Sequence, residues 1–308
     1  MTIPALLKRI GVFVAGLLLV LGAVAFGPPL FRRDRVRFRW AGGMGRGVLG
    51  APLGVAYGNG RLYVTDAGAD RIVVFDTSGA VLESWDGASL GLGRPMHVTR
   101  GADGLLYVAE YARDRISVLD SGGRLVRRVG GTPGKGPDAL DAPGGVTARG
   151  DTVYVADFYN HRVQAFSPSG ATRIGRPGRL WAGRLHYPTD VATDDSLLYV
   201  ADAYNSRIQV FRPHGEYVRR WGGPFGLGVW GPLRGWFRVA SGLAVAGGRV
   251  YVADFYNNRI QVFTDRGRYL GEASDSLSLP TAVAIGSRGE LFVADFGHRR
   301  IVRLVPTR

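Results

Sequence analysis

The chain has 308 residues, no Cys, and a formal net charge of +14. The missing Cys excludes disulfides, Cys-ligated zinc and thiol catalysis, and length alone allows one or two domains. With 47 Gly and few Lys or Glu, the composition favours an all-β protein with many turns over a helical one. Nearly all the basic charge is Arg, with Lys only at Lys8 and Lys135.

The first element is apolar. From Ile10 to Phe26 the chain is uncharged, with Lys8 and Arg9 before it and Gly27-Pro28-Pro29 after it. Extended to Leu30, the run reaches the short end of a membrane span. Ala23-Val24-Ala25 would also serve as a small-x-small cleavage site, so a signal peptide and a retained anchor are both open. The anchor is the expectation: a cytoplasmic tail over 1–9, a transmembrane segment over 10–30 and an exported body over 31–308. The Arg-rich neck (FRRDRVRFR) would then lie against anionic lipid headgroups. Counting positive charge alone favours the opposite orientation; a short positive tail leading into an apolar run favours export, and export is preferred here.

After residue 50 the chain repeats. RLYVTDAGADRIVVF, LLYVAEYARDRISVL, TVYVADFYNHRVQAF, LLYVADAYNSRIQVF, RVYVADFYNNRIQVF and ELFVADFGHRRIVRL are six versions of one hairpin. Each has an acid followed five positions later by Arg: Asp66/Arg71, Glu110/Arg115, Asp157/Arg162, Asp202/Arg207, Asp254/Arg259 and Asp295/Arg300. The acids are 44, 47, 45, 52 and 41 residues apart. A period in the forties with several short alternating strands predicts propeller blades. Each unit supplies an inner P-x-x-V/L strand, the xLYVAD strand, the RIQVF strand and an outer strand such as EYVRRWGG. The last unit lacks a fourth strand, and Arg35 to Gly43 (RVRFRWAGG) resembles one. The N-terminal strand is therefore expected to complete the last blade and close a single six-bladed, all-β domain.

The hairpins resemble NHL repeats, whose hallmark is D-x-x-N-x-R-I-x-x-F with an upstream P-x-G-[VI]-A, over about residues 36 to 305. Asp157/Asn160/Arg162, Asp202/Asn205/Arg207 and Asp254/Asn257/Arg259 match in full. Ala69, Arg113 and His298 replace the Asn elsewhere, and Glu110 replaces Asp. The resemblance implies a β-propeller and a broad range of roles: protein- or RNA-binding platforms, sensor domains of membrane kinases, or the peptide-amidating lyase. That lyase needs several channel His residues for its metal.

One acid–Arg pair in every blade reads as structure rather than catalysis, each pair contributing little where exposed. Positions that differ between blades carry more information. One inner-strand position reads Gly54, His97, Gly145, Asp190, Gly242 and Ala282 around the ring. His97 and Asp190 are thus the polar exceptions at the channel and the candidates for ligand binding. His161 and His298 fall in hairpin turns, His186 and His214 in loops. The longest spacing follows the fourth unit and carries Trp221, Phe225, Trp230, Arg234, Trp236 and Arg238. Aromatics mixed with Arg suit a docking surface, while Phe237 reads as a buried plug. Gly134-Lys135 lacks the rest of a P-loop, Trp85-Asp86 is a lone WD pair, Arg149-Gly150-Asp151 is read as coincidence, and neither G-x-S-x-G nor H-E-x-x-H occurs.

The expectation is a membrane-anchored scaffold on the extracytoplasmic face of a bacterial cytoplasmic membrane. It would bind another membrane or envelope protein, with no catalytic residue, metal or cofactor. Nucleic acid is not among the expected partners. The alternative is a channel-site enzyme, a metal-dependent lyase or hydrolase, or a ligand sensor.

Overall fold

A computed structural model describes residues 36–194 and 196–307. The segment expected to cross the membrane, 10–30, and most of the Arg-rich neck lie outside the described residues. Among those described, no helix is long and apolar enough to cross a membrane.

The second and third strands of each unit are almost uniformly apolar because each blade is covered on both faces by its neighbours. Six four-stranded antiparallel sheets result. Blade 1 runs from Pro52–Gly58 through Arg61–Asp66 and Arg71–Asp76 to Val81–Asp86. Blades 2 to 5 repeat this order, their innermost strands being Pro95–Arg100, Pro143–Arg149, Pro188–Thr193 and Ala240–Ala246. Blade 6 comprises Pro280–Ile285, Leu291–Asp295 and Arg300–Thr307, with Arg37–Met44 as its outer strand. That outer strand pairs Arg37 with Thr307 and Trp40 with Leu304, then bulges before Gly42. The expected closure by the N-terminal strand is therefore present. It joins the two ends of the ring through main-chain hydrogen bonds.

The apolar core divides into six clusters, each shared by two neighbouring blades. Val55, Val64 and Phe75 of blade 1 meet Phe292 and Ile301 of blade 6, and Tyr199 and Ile208 of blade 4 meet Leu243 and Val252 of blade 5. Burial is thus spread around the ring, and no blade can bury its faces alone.

In every hairpin between second and third strands a left-handed residue makes the turn: Asp70, Asp114, His161, Ser206, Asn258 or Arg299. An Asn takes this conformation in blade 5, and in blades 3 to 5 the Asn of the repeat, at 160, 205 and 257, sits one position before the left-handed residue. In blades 3 to 5 that earlier Asn is used for its side-chain amide instead, as described next.

Candidate functional site

The recurring acid and Arg do more than pair across a turn. Asp202 is fully buried; its Oδ1 accepts the His186 amide N–H at 2.7 Å and its Oδ2 accepts Arg207 Nε at 2.8 Å. Arg207 then donates through Nη1 to the Leu180 carbonyl and through Nη2 to those of Trp181 and Arg184. Asn205 Nδ2 donates to the Gly178 carbonyl. The unit therefore fastens the connecting loop that enters its own blade. In blade 5, Asp254 accepts from the Arg238 amide, Arg259 donates to the Leu233 and Trp236 carbonyls, and Asn257 donates to that of Gly231. The carboxylates were expected to matter little if exposed. All six are buried, so each needs its partners to offset desolvation.

At the waist of the channel the innermost strands approach closely enough that glycine is required. A Cβ on Gly145 would lie 2.7 Å from Asp190 Cα, and one on Gly242 would overlap the Thr281 carbonyl oxygen. Asp190 fills the space Gly145 leaves. Its Oδ1 accepts the Val191 amide at 2.8 Å, and its Oδ2 accepts the Leu243 amide of blade 5 at 2.7 Å. The same Oδ2 lies 3.6 Å from His97 Nε2 of blade 2. Burial pushes the Asp190 carboxyl above its ordinary range, opposed by His97 and by the two amides. His97 Nδ1 is buried and has no hydrogen-bond partner among the described residues.

His97 stands between two openings. On the side where the innermost strands end, a funnel of about 670 Å³ is lined by His97, Tyr57, Arg100 and Thr147, among others. On the hairpin side, a smaller cavity of about 170 Å³ is lined mainly by Leu53, Met96, Tyr111 and Phe158. The channel is thus polar at one end and apolar at the other. Among the described residues no group of three His, Cys, Asp or Glu is placed to hold a metal ion.

The long loop between blades 4 and 5 separates its aromatics. Phe225 and Trp230 are 75% and 66% exposed, and Arg234 and Arg238 are also exposed. Trp236 is half-buried with Gly231 beneath its ring. Trp221, expected on the docking surface, is instead only 8% exposed: it belongs to the outer strand of blade 4 and packs on Tyr199 and Phe263. Phe237 is fully buried against Phe263. Arg238 lies over the Trp230 ring at 5.4 Å.

Sequence reasoning missed the largest feature of this face. Tyr111, Phe158, Tyr159, Tyr187 and Tyr204 form a chain of ring contacts across blades 2 to 4, with centroids 4.9 to 6.4 Å apart. Tyr204, Trp230, Arg238 and Tyr256 then border a cleft of about 240 Å³ between blades 4 and 5. His161 and His186 stack within the same region at 5.2 Å. Burial, and after it the neighbouring His186, lowers the pKa of His161; burial, and after it Arg179, lowers that of His186. Trp181, 75% exposed, flanks the blade 4 hairpin. The signal was legible: Tyr or Phe follows the acid at one or both of the next two positions in five of the six hairpins. It reads as turn filling until neighbouring blades bring the rings together.

The comparisons with known proteins follow this architecture. The class is a six-bladed β-propeller of four-stranded blades. The NHL repeat model matches residues 140–166, 185–211 and 237–263, and the chain belongs to the NHL-repeat propellers. No curated protein sequence matches it. Among solved structures it is similar to XC5397, a gluconolactonase of Xanthomonas campestris (TM-score 0.67, 17% identity, covering 90% of this chain and 96% of that one). It is also similar to virginiamycin B lyase from Staphylococcus aureus (0.59, 16%, 89% and 88%) and to a streptogramin B lyase (0.61, 14%, 88% and 97%). At these identities the likeness shows the fold alone.

Proposed function

We propose that this propeller is a non-catalytic docking module. The apolar segment 10–30 would hold it at the extracytoplasmic face of a bacterial cytoplasmic membrane, with the Arg-rich neck on anionic lipid. Its partner would be a membrane or envelope protein, bound through the hairpin face of blades 4 and 5. One observation carries the reading: Trp181, Phe225 and Trp230 expose most of their surface there. Large aromatics left in water beside Arg, here Arg238 over the Trp230 ring, are the composition of binding hot spots. The fastened loops supply a rigid base, which lowers the entropy lost on docking.

The test is purification of the full-length chain in mild detergent, with mass spectrometry of co-migrating proteins. A stoichiometric partner lost in Phe225→Ala/Trp230→Ala, with the melting temperature unchanged, is the expected result. A chain that migrates alone would sink the reading.

A second reading rests on the channel. The unpartnered Nδ1 of His97, set by Asp190 at the base of the 670 Å³ funnel, suits a small ligand or substrate. The lyase and gluconolactonase named among the similar structures make an enzyme the natural form of that reading. Small-molecule binding abolished by His97→Ala and unaffected by Trp230→Ala would favour it.

A further inference from the structure

We propose that the hairpin face binds a proline-rich segment in the polyproline II conformation, flanked by acidic residues. This rests on the docking reading and names the chemistry of the segment that docks. The aromatic arc runs from Tyr111 on blade 2, through Tyr159 and Tyr187, to Tyr204, Trp230 and Tyr256.

The argument starts from the ring angles. Tyr111 and Tyr159 meet at 63°, Phe158 and Tyr159 at 76°, and Tyr159 and Tyr187 at 85°. Edges therefore point at faces, and the surface is a row of ridges and clefts rather than a set of open plates. A nucleobase stacks on an open aromatic face, as does the apolar face of a sugar ring, and at Tyr111, Phe158, Tyr159 and Tyr187 those faces meet neighbouring edges. Pyrrolidine rings are compact and puckered and fit between ridges. Polyproline II also presents its carbonyls outward and loses little entropy on binding.

The donors and charges agree with this occupant. The hydroxyls of Tyr111 and Tyr159 bond to each other, whereas those of Tyr204 and Tyr256 bond to no described residue and are available to ligand carbonyls. Arg94 lies over Tyr111 at one end of the arc, and Arg238 over Trp230 at the other. Neither guanidinium has a carboxylate partner among the described residues, so each end presents a cation where an acidic flank would lie. The cavities at Tyr111/Phe158 and at Tyr204/Trp230/Tyr256 supply two separate recesses for proline rings.

The test titrates the full-length chain in detergent against a fluorescein-labelled, Glu-flanked proline-rich peptide of about ten residues, roughly 30 Å long as polyproline II. Fluorescence anisotropy is the readout. Saturable binding is expected, weakened about tenfold or more by Tyr204→Ala and by Tyr256→Ala. Arg238→Ala should weaken the Glu-flanked peptide several-fold more than one with uncharged flanks. All three positions are exposed, and an unchanged melting temperature verifies folding. The proposal is overturned if the proline-rich and scrambled peptides bind alike, or if a single-stranded oligonucleotide or a neutral oligosaccharide saturates the face and the peptide does not. If a partner co-purifies through Phe225 and Trp230 and no proline-rich peptide binds, this inference fails and the docking reading stands. Peptide binding with no partner captured supports the inference and removes only the membrane or envelope partner that the docking reading names.

Discussion

Blades 3, 4 and 5 differ from blades 1, 2 and 6 in carrying the Asn of the repeat and a Gln two positions after its Arg (Gln164, Gln209, Gln261), and the difference tracks the loops they hold. Asn160, Asn205 and Asn257 each donate to a carbonyl of a long incoming loop, at Gly134, Gly178 and Gly231. In the same blades Arg162, Arg207 and Arg259 reach two or three loop carbonyls and are almost completely buried. In blades 1 and 2 the incoming loops are short. Arg71 and Arg115 reach one loop carbonyl each, and Arg71 is 29% exposed. Blade 6 also has a short incoming loop, and its Arg300 reaches one loop carbonyl but is 9% exposed, with His298 Nδ1 2.9 Å from Asp295 Oδ2 where the Asn amide would be. Longer loops lose more entropy on ordering and need more anchors. The fully matched repeats therefore lie where the chain builds its exposed aromatic surface.

Substitutions can break this comparison, and the largest effect belongs to the most buried pair. Arg207→Ala leaves the Asp202 carboxylate buried without its cation and frees three loop carbonyls, so a loss of about 3–5 kcal/mol is expected in denaturant unfolding. Arg71→Ala, where water already reaches the guanidinium, should cost about 2 kcal/mol or less. Equal losses would show that burial does not separate the two groups of blades. Next comes Gly145→Ala, whose methyl would collide with the Asp190 backbone; a loss of about 1–3 kcal/mol is expected. Asn205→Ala removes one amide bridge to the loop and should cost about 1 kcal/mol, together with faster proteolysis near Trp181.

The stacked pair of blades 3 and 4 gives a pH-dependent contrast. Both His161 and His186 have folded pKa values below the ordinary 6.5. Their neutral forms are favoured in the fold, so the stability they contribute is present above about pH 6.5 and lost as pH falls through the lowered values. The melting temperature should fall between pH 7 and pH 5, and His186→Phe should flatten that fall. An unchanged slope would assign it to other groups. The smallest effect is expected for Ala69→Asn in blade 1, within about 0.5 kcal/mol, because no long loop there offers a carbonyl to the new amide. A gain as large as the Asn205 loss would separate the amide from loop length.

Much of the fold was legible in the sequence. The six hairpins, their period and the missing outer strand dictated a closed ring, because a blade apolar on both faces must find a neighbour on each side. Position by position along the inner strand, Gly54, Gly145 and Gly242 also marked where the strands converge. Other features depended on registration between blades. Asp190 meets His97 and the Leu243 amide only once blades 2, 4 and 5 surround one axis. Trp221 and Trp230 read alike in a loop rich in Gly, yet one ends a strand and packs in the core while the other faces water.

The sequence by itself determined the repeat, the number of blades and how the ring closes, since local periodicity and apolar pattern act within a single unit. Tertiary structure alone decided which side chains gather into a surface. Tyr111, the Phe158–Tyr159 pair and Tyr204 lie in three separate repeats, and contact between them depends on the packing distance and twist of adjacent sheets, which no single repeat encodes.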